Sequence, residues 1–123
     1  MRRASLAIGV ALRPEILLLD EPTANLDIAT RKEIMKTLKE MEEVTDTVMI
    51  ATHDMQLVSE WAERIIVLYK GNVIADGNRN EIFGNRDVIE TVGIRPPEIF
   101  SMGKALHKDA FCYTVEEFIQ SFA

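Results

Sequence analysis

The sequence holds one cysteine, Cys112, so no internal disulfide can form and a disulfide-stapled scaffold is excluded. Long apolar runs are missing too. None approaches the roughly 20 residues that a helical membrane span needs, and the longest, Leu6 to Leu12, is closed off by Arg13 and Pro14. Six glycines and four prolines in 123 residues are too few for a collagenous or low-complexity chain. An excess of positive charge is also lacking. Fourteen basic residues against twenty acidic ones give a net charge of -6, which argues against a surface that coats nucleic acid. The rest, 47% hydrophobic and 28% charged residues, is the composition of an ordinary globular domain or part of one.

The hydrophobic pattern reads as strand and helix in alternation. Met1 to Leu12 has helical spacing, with Leu6, Ala7, Val10 and Ala11 on one face. It starts with Arg2 and Arg3 at the positive end of the helix dipole, without a capping side chain, which fits either a frayed terminus or a helix that more chain once preceded. Ile16-Leu17-Leu18-Leu19 is too short for a helix and reads as a strand buried on both faces, as in a parallel sheet. Asp27 can cap a helix running to about Glu43. Its apolar stripe is Ile34, Met35, Leu38 and Met41, and Arg31, Lys32, Lys36, Lys39 and Glu40 are expected largely toward water. Thr47 to Ala51 reads as the next strand, completing a βαβ crossover. Beyond it Asp54 can cap a helix with Met55, Leu57, Val58, Trp61 and Ala62, and a hairpin of Ile65 to Tyr69 and Val73 to Ala75 follows across Lys70-Gly71-Asn72. From Glu81 onward the pattern changes to short helical pieces broken by Gly84, Gly93 and Pro96-Pro97. Thr114 and Glu117, at capping-box spacing, open a last helix through Phe122. The expected boundary lies near residue 85, between an α/β core and a helical tail.

Chemistry-bearing residues gather at two strand ends. Asp20 and Glu21 follow four aliphatic residues directly, and strands of an open α/β sheet present ligands at their carboxyl ends. Adjacent residues leave a strand in opposite directions, so the two carboxylates suit different tasks. One could hold a hard cation such as Mg²⁺, and the other could orient and polarise a water for attack. The plain alternative is two solvated acids closing a strand. His53 follows the neighbouring strand, where an imidazole can donate a hydrogen bond to a phosphate oxygen. His107 and Cys112, in the tail, have no such company.

Taken together, Ile16-Leu17-Leu18-Leu19-Asp20-Glu21-Pro22-Thr23, Asn25-Leu26-Asp27 and Thr52-His53-Asp54 resemble the ATP-binding-cassette (ABC) ATPase family. Their order and spacing are similar to that family's Walker B strand, D-loop and switch histidine, and the resemblance covers about residues 2 to 83. It implies an α/β fold, part of a parallel-sheet P-loop-NTPase-like core over residues 1–85, with a mostly helical extension over 86–123. It also implies ATP and Mg²⁺ as ligands. Asp20 would bind Mg²⁺ through water, and Glu21 would be the catalytic carboxylate. His53 would contact the γ-phosphate, and Asp27 would lie in the D-loop at the interface with a second nucleotide-binding domain. The implied setting is a cytoplasmic subunit, peripheral at the inner face of the cell membrane, docked on a transmembrane permease and coupling ATP hydrolysis to solute transport. Glu90-Thr91-Val92-Gly93-Ile94-Arg95-Pro96-Pro97 resembles the corresponding stretch of cobalt-type and energy-coupling-factor importers.

The sequence departs from the family at three places. No G-x-x-x-x-G-K-[ST] occurs in it, and the Q-loop and LSGGQ-type signature are absent as well. In the family the signature runs into a basic helix like Met1-Arg2-Arg3-Ala4, so the resemblance places the start of this chain just after it. Two other readings remain open: a non-transport ABC ATPase acting on DNA or ribosomes, and an inactive split fragment whose remaining role is association. Taken alone, the chain is expected to lack ATPase activity, and to self-associate through apolar surface near Ile16 to Leu19 or else to be only marginally stable as a monomer.

Overall fold

The computed structural model describes residues 15–122, so the helix expected over Met1 to Leu12 lies outside the described residues. The chain divides into two compact units, residues 1–54 and 55–123.

In the first unit, strand β1 (Ile16–Asp20) leads to helix α1 (Ile28–Met41) and then to strand β2 (Thr47–Ala51). The two strands are parallel, with Ile16 opposite Thr47, Leu18 opposite Met49 and Asp20 opposite Ala51. A parallel pair needs a crossover between its strands, and the long amphipathic stretch between the two aliphatic runs supplies it. Asp27 opens α1 as foreseen, its carboxylate accepting the Thr30 N–H at 2.7 Å. Ile34, Leu38 and Met41, at helical spacing, form the helix's buried stripe.

The strands differ from the expectation. Leu17 is buried, and Leu19, Val48 and Ile50 are half-buried, whereas Ile16, Leu18 and Met49 are 63%, 69% and 48% exposed. Only one face of the pair is turned inward, because side chains alternate along a strand and register puts Ile16, Leu18 and Met49 together on the other face.

The second unit begins with helix α2 (Met55–Trp61), followed by strands β3 (Ile65–Tyr69) and β4 (Asn72–Gly77) as an antiparallel hairpin. Its turn is two residues long. Lys70 (φ 49°) and Gly71 (φ 80°) both occupy the left-handed region, as the turn type matched to strand twist requires. Four short helices follow: α3 (Arg79–Phe83), α4 (Arg86–Val92), α5 (Glu98–Leu106) and α6 (Val115–Phe122). Asn78 and Glu81 form a reciprocal capping box at the start of α3. Gly93 ends α4 at φ 77°, and the N–H groups of Gly93 and Ile94 both return to the Ile89 carbonyl.

Two apolar clusters hold this unit together. One joins Val67 of β3 to Ile82 and Val88. The other is aromatic, built on Phe83, Phe100 and Tyr113. Tyr113 also ties the elements by polar contacts. Its hydroxyl donates to Asn80 Oδ1 at 2.7 Å, and the Arg79 guanidinium lies 4.2 Å from its ring centre. Arg79 in turn donates to the Ser59 carbonyl at 2.9 Å and to Glu117 at 3.2 Å. Burial pushes the Tyr113 hydroxyl up to about 12, against the opposing pull of Arg79 and with a smaller push from Glu117. Thr114 accepts the Glu117 N–H at 3.1 Å, as the capping spacing anticipated. The carboxylate of Glu117 reaches back to Tyr113 N–H instead of Thr114. Cys112 is buried, with its Sγ 3.6 Å from Ser121 Oγ.

Candidate functional site

The site lies in the first unit, where β1 and β2 end side by side. Asp20 closes β1 and is exposed. Glu21 extends the parallel ladder by one bond, its N–H donating to the Ala51 carbonyl at 2.8 Å. The chain then turns sharply, with Glu21 at φ 47° and Asn25 at φ 60°. The left-handed region costs a non-glycine residue about 1–2 kcal/mol, so the surroundings must hold Glu21 there.

They do so through the Glu21 carboxylate. Oε2 accepts the Thr52 hydroxyl at 2.9 Å, and Oε1 accepts the His53 backbone N–H at 2.8 Å. The end of β2 and the loop after it thus grip Glu21 by its backbone N–H and by both carboxylate oxygens. The His53 imidazole is fully exposed, with Nε2 3.9 Å from Glu21 Oε1. Crossover and register therefore bring Glu21 and His53 together, as their sequence positions suggested.

A second group of polar side chains backs this pair. Asp54 N–H donates to Thr52 Oγ1 at 3.0 Å, and the Thr23 hydroxyl donates to Asp54 Oδ2 at 2.7 Å. Arg31, on the first turn of α1, meets the Asp54 carboxylate as a fork, Nη2 to Oδ1 at 2.8 Å and Nη1 to Oδ2. Such two-point pairs are among the stronger charge-assisted bonds. Arg31 was expected toward water, yet its side chain is only 22% exposed and that of Asp54 19%. Four residues from Asp27 along the helix, Arg31 returns to the face over the preceding loop. Thr23 and Thr52 had no signal in the sequence beyond sitting inside the quoted motifs, and Asp54 was readable only as a cap for the helix that follows it.

Asp27 is exposed at the N-cap of α1. Among the described residues no cluster of three or more His, Cys, Asp or Glu side chains could hold a metal ion alone. One exposed carboxylate at a strand end nevertheless fits Mg²⁺, which keeps most of its waters and is bound by one or two carboxylates together with substrate phosphates. Asp20 is such a group.

No protein-family model matches the chain. Curated proteins do. The chain is 35% identical over 122 residues to the energy-coupling factor transporter ATP-binding protein EcfA2 of Clostridium tetani, covering 94% of this chain and 42% of that protein. It is 40% identical over 114 residues to the protein of the same name from Clostridium perfringens, covering 91% of the chain and 40% of the relative. With EcfA of Methanothermobacter thermautotrophicus the identity is 37% over 110 residues, covering 89% and 35%. Among solved structures, cbiO1 of Clostridium perfringens, described as part of the ABC transporter complex cbiONQ, matches with a TM-score of 0.59. It is 40% identical, and the match covers 79% of this chain and 39% of that one. The chain spans about two-fifths of the length of these two Clostridium EcfA2 relatives.

Proposed function

We propose, for a chain that belongs by sequence with the ATP-binding proteins of ABC transporters, that it works as the part of a nucleotide-binding subunit that carries the hydrolytic carboxylate. The observation that supports this best is the carboxylate of Glu21, fixed by Thr52 Oγ1 and His53 N–H beside an exposed imidazole. In phosphoryl transfer the protein contributes mainly positioning and charge stabilisation. Glu21 would accept a hydrogen bond from the attacking water and align it. His53 would donate to a γ-phosphate oxygen, and its exposure leaves it open to a ligand arriving from outside. Asp20 would hold Mg²⁺ through water, and the chemistry that ion supplies when bound is neutralisation of phosphate charge.

The wider assembly belongs to the same proposal. Asp27, exposed at the N-cap of α1, would face a second nucleotide-binding domain, and a transmembrane permease subunit would complete the transporter. Among the described residues no helix is long and apolar enough to cross a membrane, which suits a subunit peripheral at the cytoplasmic face. The relatives' names favour the energy-coupling-factor type of transporter. In such a subunit residues 1–85 would belong to the core and 86–123 would be a helical extension.

Two tests use the 123-residue chain alone. It holds no Gly-rich loop with Lys and Ser/Thr to cradle phosphates through backbone N–H groups. Calorimetric titration with Mg-ATP is expected to show no saturable micromolar binding, and the complete subunit is expected to show it. Tight binding by the short chain would overturn the assignment of phosphate contacts to another segment. The chain is also expected to self-associate, burying the Ile16, Leu18 and Met49 face against a second copy. Sedimentation at micromolar concentration should show a dimer or larger species, and Leu18→Glu should return it to monomer. A monomeric wild-type chain would count against this use of the face.

A further inference from the structure

We infer that Thr52 is a positioning residue for hydrolysis, holding the carboxylate of Glu21 in the orientation from which it aligns water. This rests on Glu21 having the role proposed above. A hydroxyl has one proton to give. At Thr52 the oxygen already accepts the Asp54 N–H at 3.0 Å, and its own proton goes to Glu21 Oε2 at 2.9 Å. Branching at Cβ restricts the side-chain rotor, so the direction of that donation is fixed by the backbone at the end of β2.

Asp54 is itself anchored, by the Arg31 fork and the Thr23 hydroxyl. An unbroken series of bonds therefore runs from α1 through Arg31, Asp54 and Thr52 to the Glu21 carboxylate. Without the Thr52 hydroxyl, the bond that orients Oε2 is lost, while His53 N–H still donates to Oε1. Glu21 also sits in the left-handed region, where its backbone conformation is not self-sustaining. Misplacement of a reacting group by about 1 Å can cost on the order of 100-fold in rate, so loss of the bond that orients Oε2 should be visible in turnover.

The test uses the complete ATP-binding subunit containing this sequence, with steady-state ATPase kinetics on Thr52→Val, Thr52→Ser and Glu21→Gln. Valine keeps the shape and removes the hydroxyl, whereas serine keeps the hydroxyl. Thr52→Val is expected to lower kcat by about tenfold or more while KM for ATP moves less than about twofold. Thr52→Ser is expected to recover most of the turnover. In the Glu21→Gln background, Thr52→Val should add no further loss, because it acts through the same carboxylate. Normal kcat in Thr52→Val, beside an inactive Glu21→Gln, would overturn the inference and leave the Glu21 role standing. Normal kcat in Glu21→Gln would overturn the underlying reading instead. Equal losses in the valine and serine variants, or a raised KM at unchanged kcat, would also overturn the role given to the hydroxyl. Should the valine variant not fold, Thr52→Ala carries the same expectations.

Discussion

Glu21→Gln in the complete subunit is expected to leave nucleotide bound and to suppress hydrolysis by a factor on the order of 100 to 10,000, the usual worth of a positioned acid or base. Glutamine keeps the length and branching of the side chain but carries no charge. Its amide also has one accepting oxygen where the carboxylate has two. In the native site both oxygens accept, one from Thr52 and one from His53 N–H. The variant must lose one of these bonds and face that donor with an NH₂ group. The attacking water then lacks both a full negative charge to draw its proton and a fixed acceptor to aim at. In the proposed function, ground-state binding of ATP would depend on phosphate contacts elsewhere, so affinity should change little. Phosphate release and equilibrium nucleotide binding, measured side by side, separate the two effects. Normal turnover with glutamine at 21 would remove the carboxylate from the mechanism.

The elements of this fold were legible wherever one local signal dominated. Ile16 to Leu19 and Thr47 to Ala51 are short apolar runs between turn residues, and both are strands within a residue of their expected ends. Asp27 caps α1 because a side-chain oxygen there can reach the N–H three residues on. Helix α1 ends at Met41, before the expected Glu43, since its last turn gives way to the Glu42-to-Thr45 bend with bonds back to Glu40 and Met41.

Burial was legible only in part. Four aliphatic residues in a row carry no alternation, so Ile16 to Leu19 gave no hint that Leu17 turns inward while Leu18 is exposed. The candidate site divides in the same way. Glu21 and His53 are readable because residue type and strand-end position both point to chemistry. The Arg31–Asp54 fork joins residues 23 apart in sequence, and no local pattern distinguishes a paired helix arginine from a solvated one. The left-handed backbone of Glu21 was equally hidden, because it follows from the grip of residues 51–53 and not from glutamate's own preferences.

Phe100→Ala is expected to produce the largest loss of stability in residues 55–123. Phe100 is buried on α5, its ring 5.3 Å from Tyr113, 5.9 Å from Phe83 and 6.1 Å from Phe111, centre to centre. Truncating a buried phenylalanine removes its transfer free energy and leaves a cavity, together about 3–5 kcal/mol. Each aromatic pair adds about 0.5–1.5 kcal/mol beyond area alone, and one truncation here disturbs three of them. Whole domains have only about 5–15 kcal/mol to lose, so the variant should sit near the edge of folding. Phe100→Leu should cost much less, because leucine refills most of the space and forfeits mainly the ring geometry. Urea or thermal unfolding followed by near-ultraviolet circular dichroism would report both variants, since the signal comes from the packed rings themselves. A loss below about 1 kcal/mol for the alanine variant would mean that the cluster collapses around the gap. In that event Arg79, held by its bonds to Ser59 and Glu117 and by the face of Tyr113, would be the stronger tie between these elements.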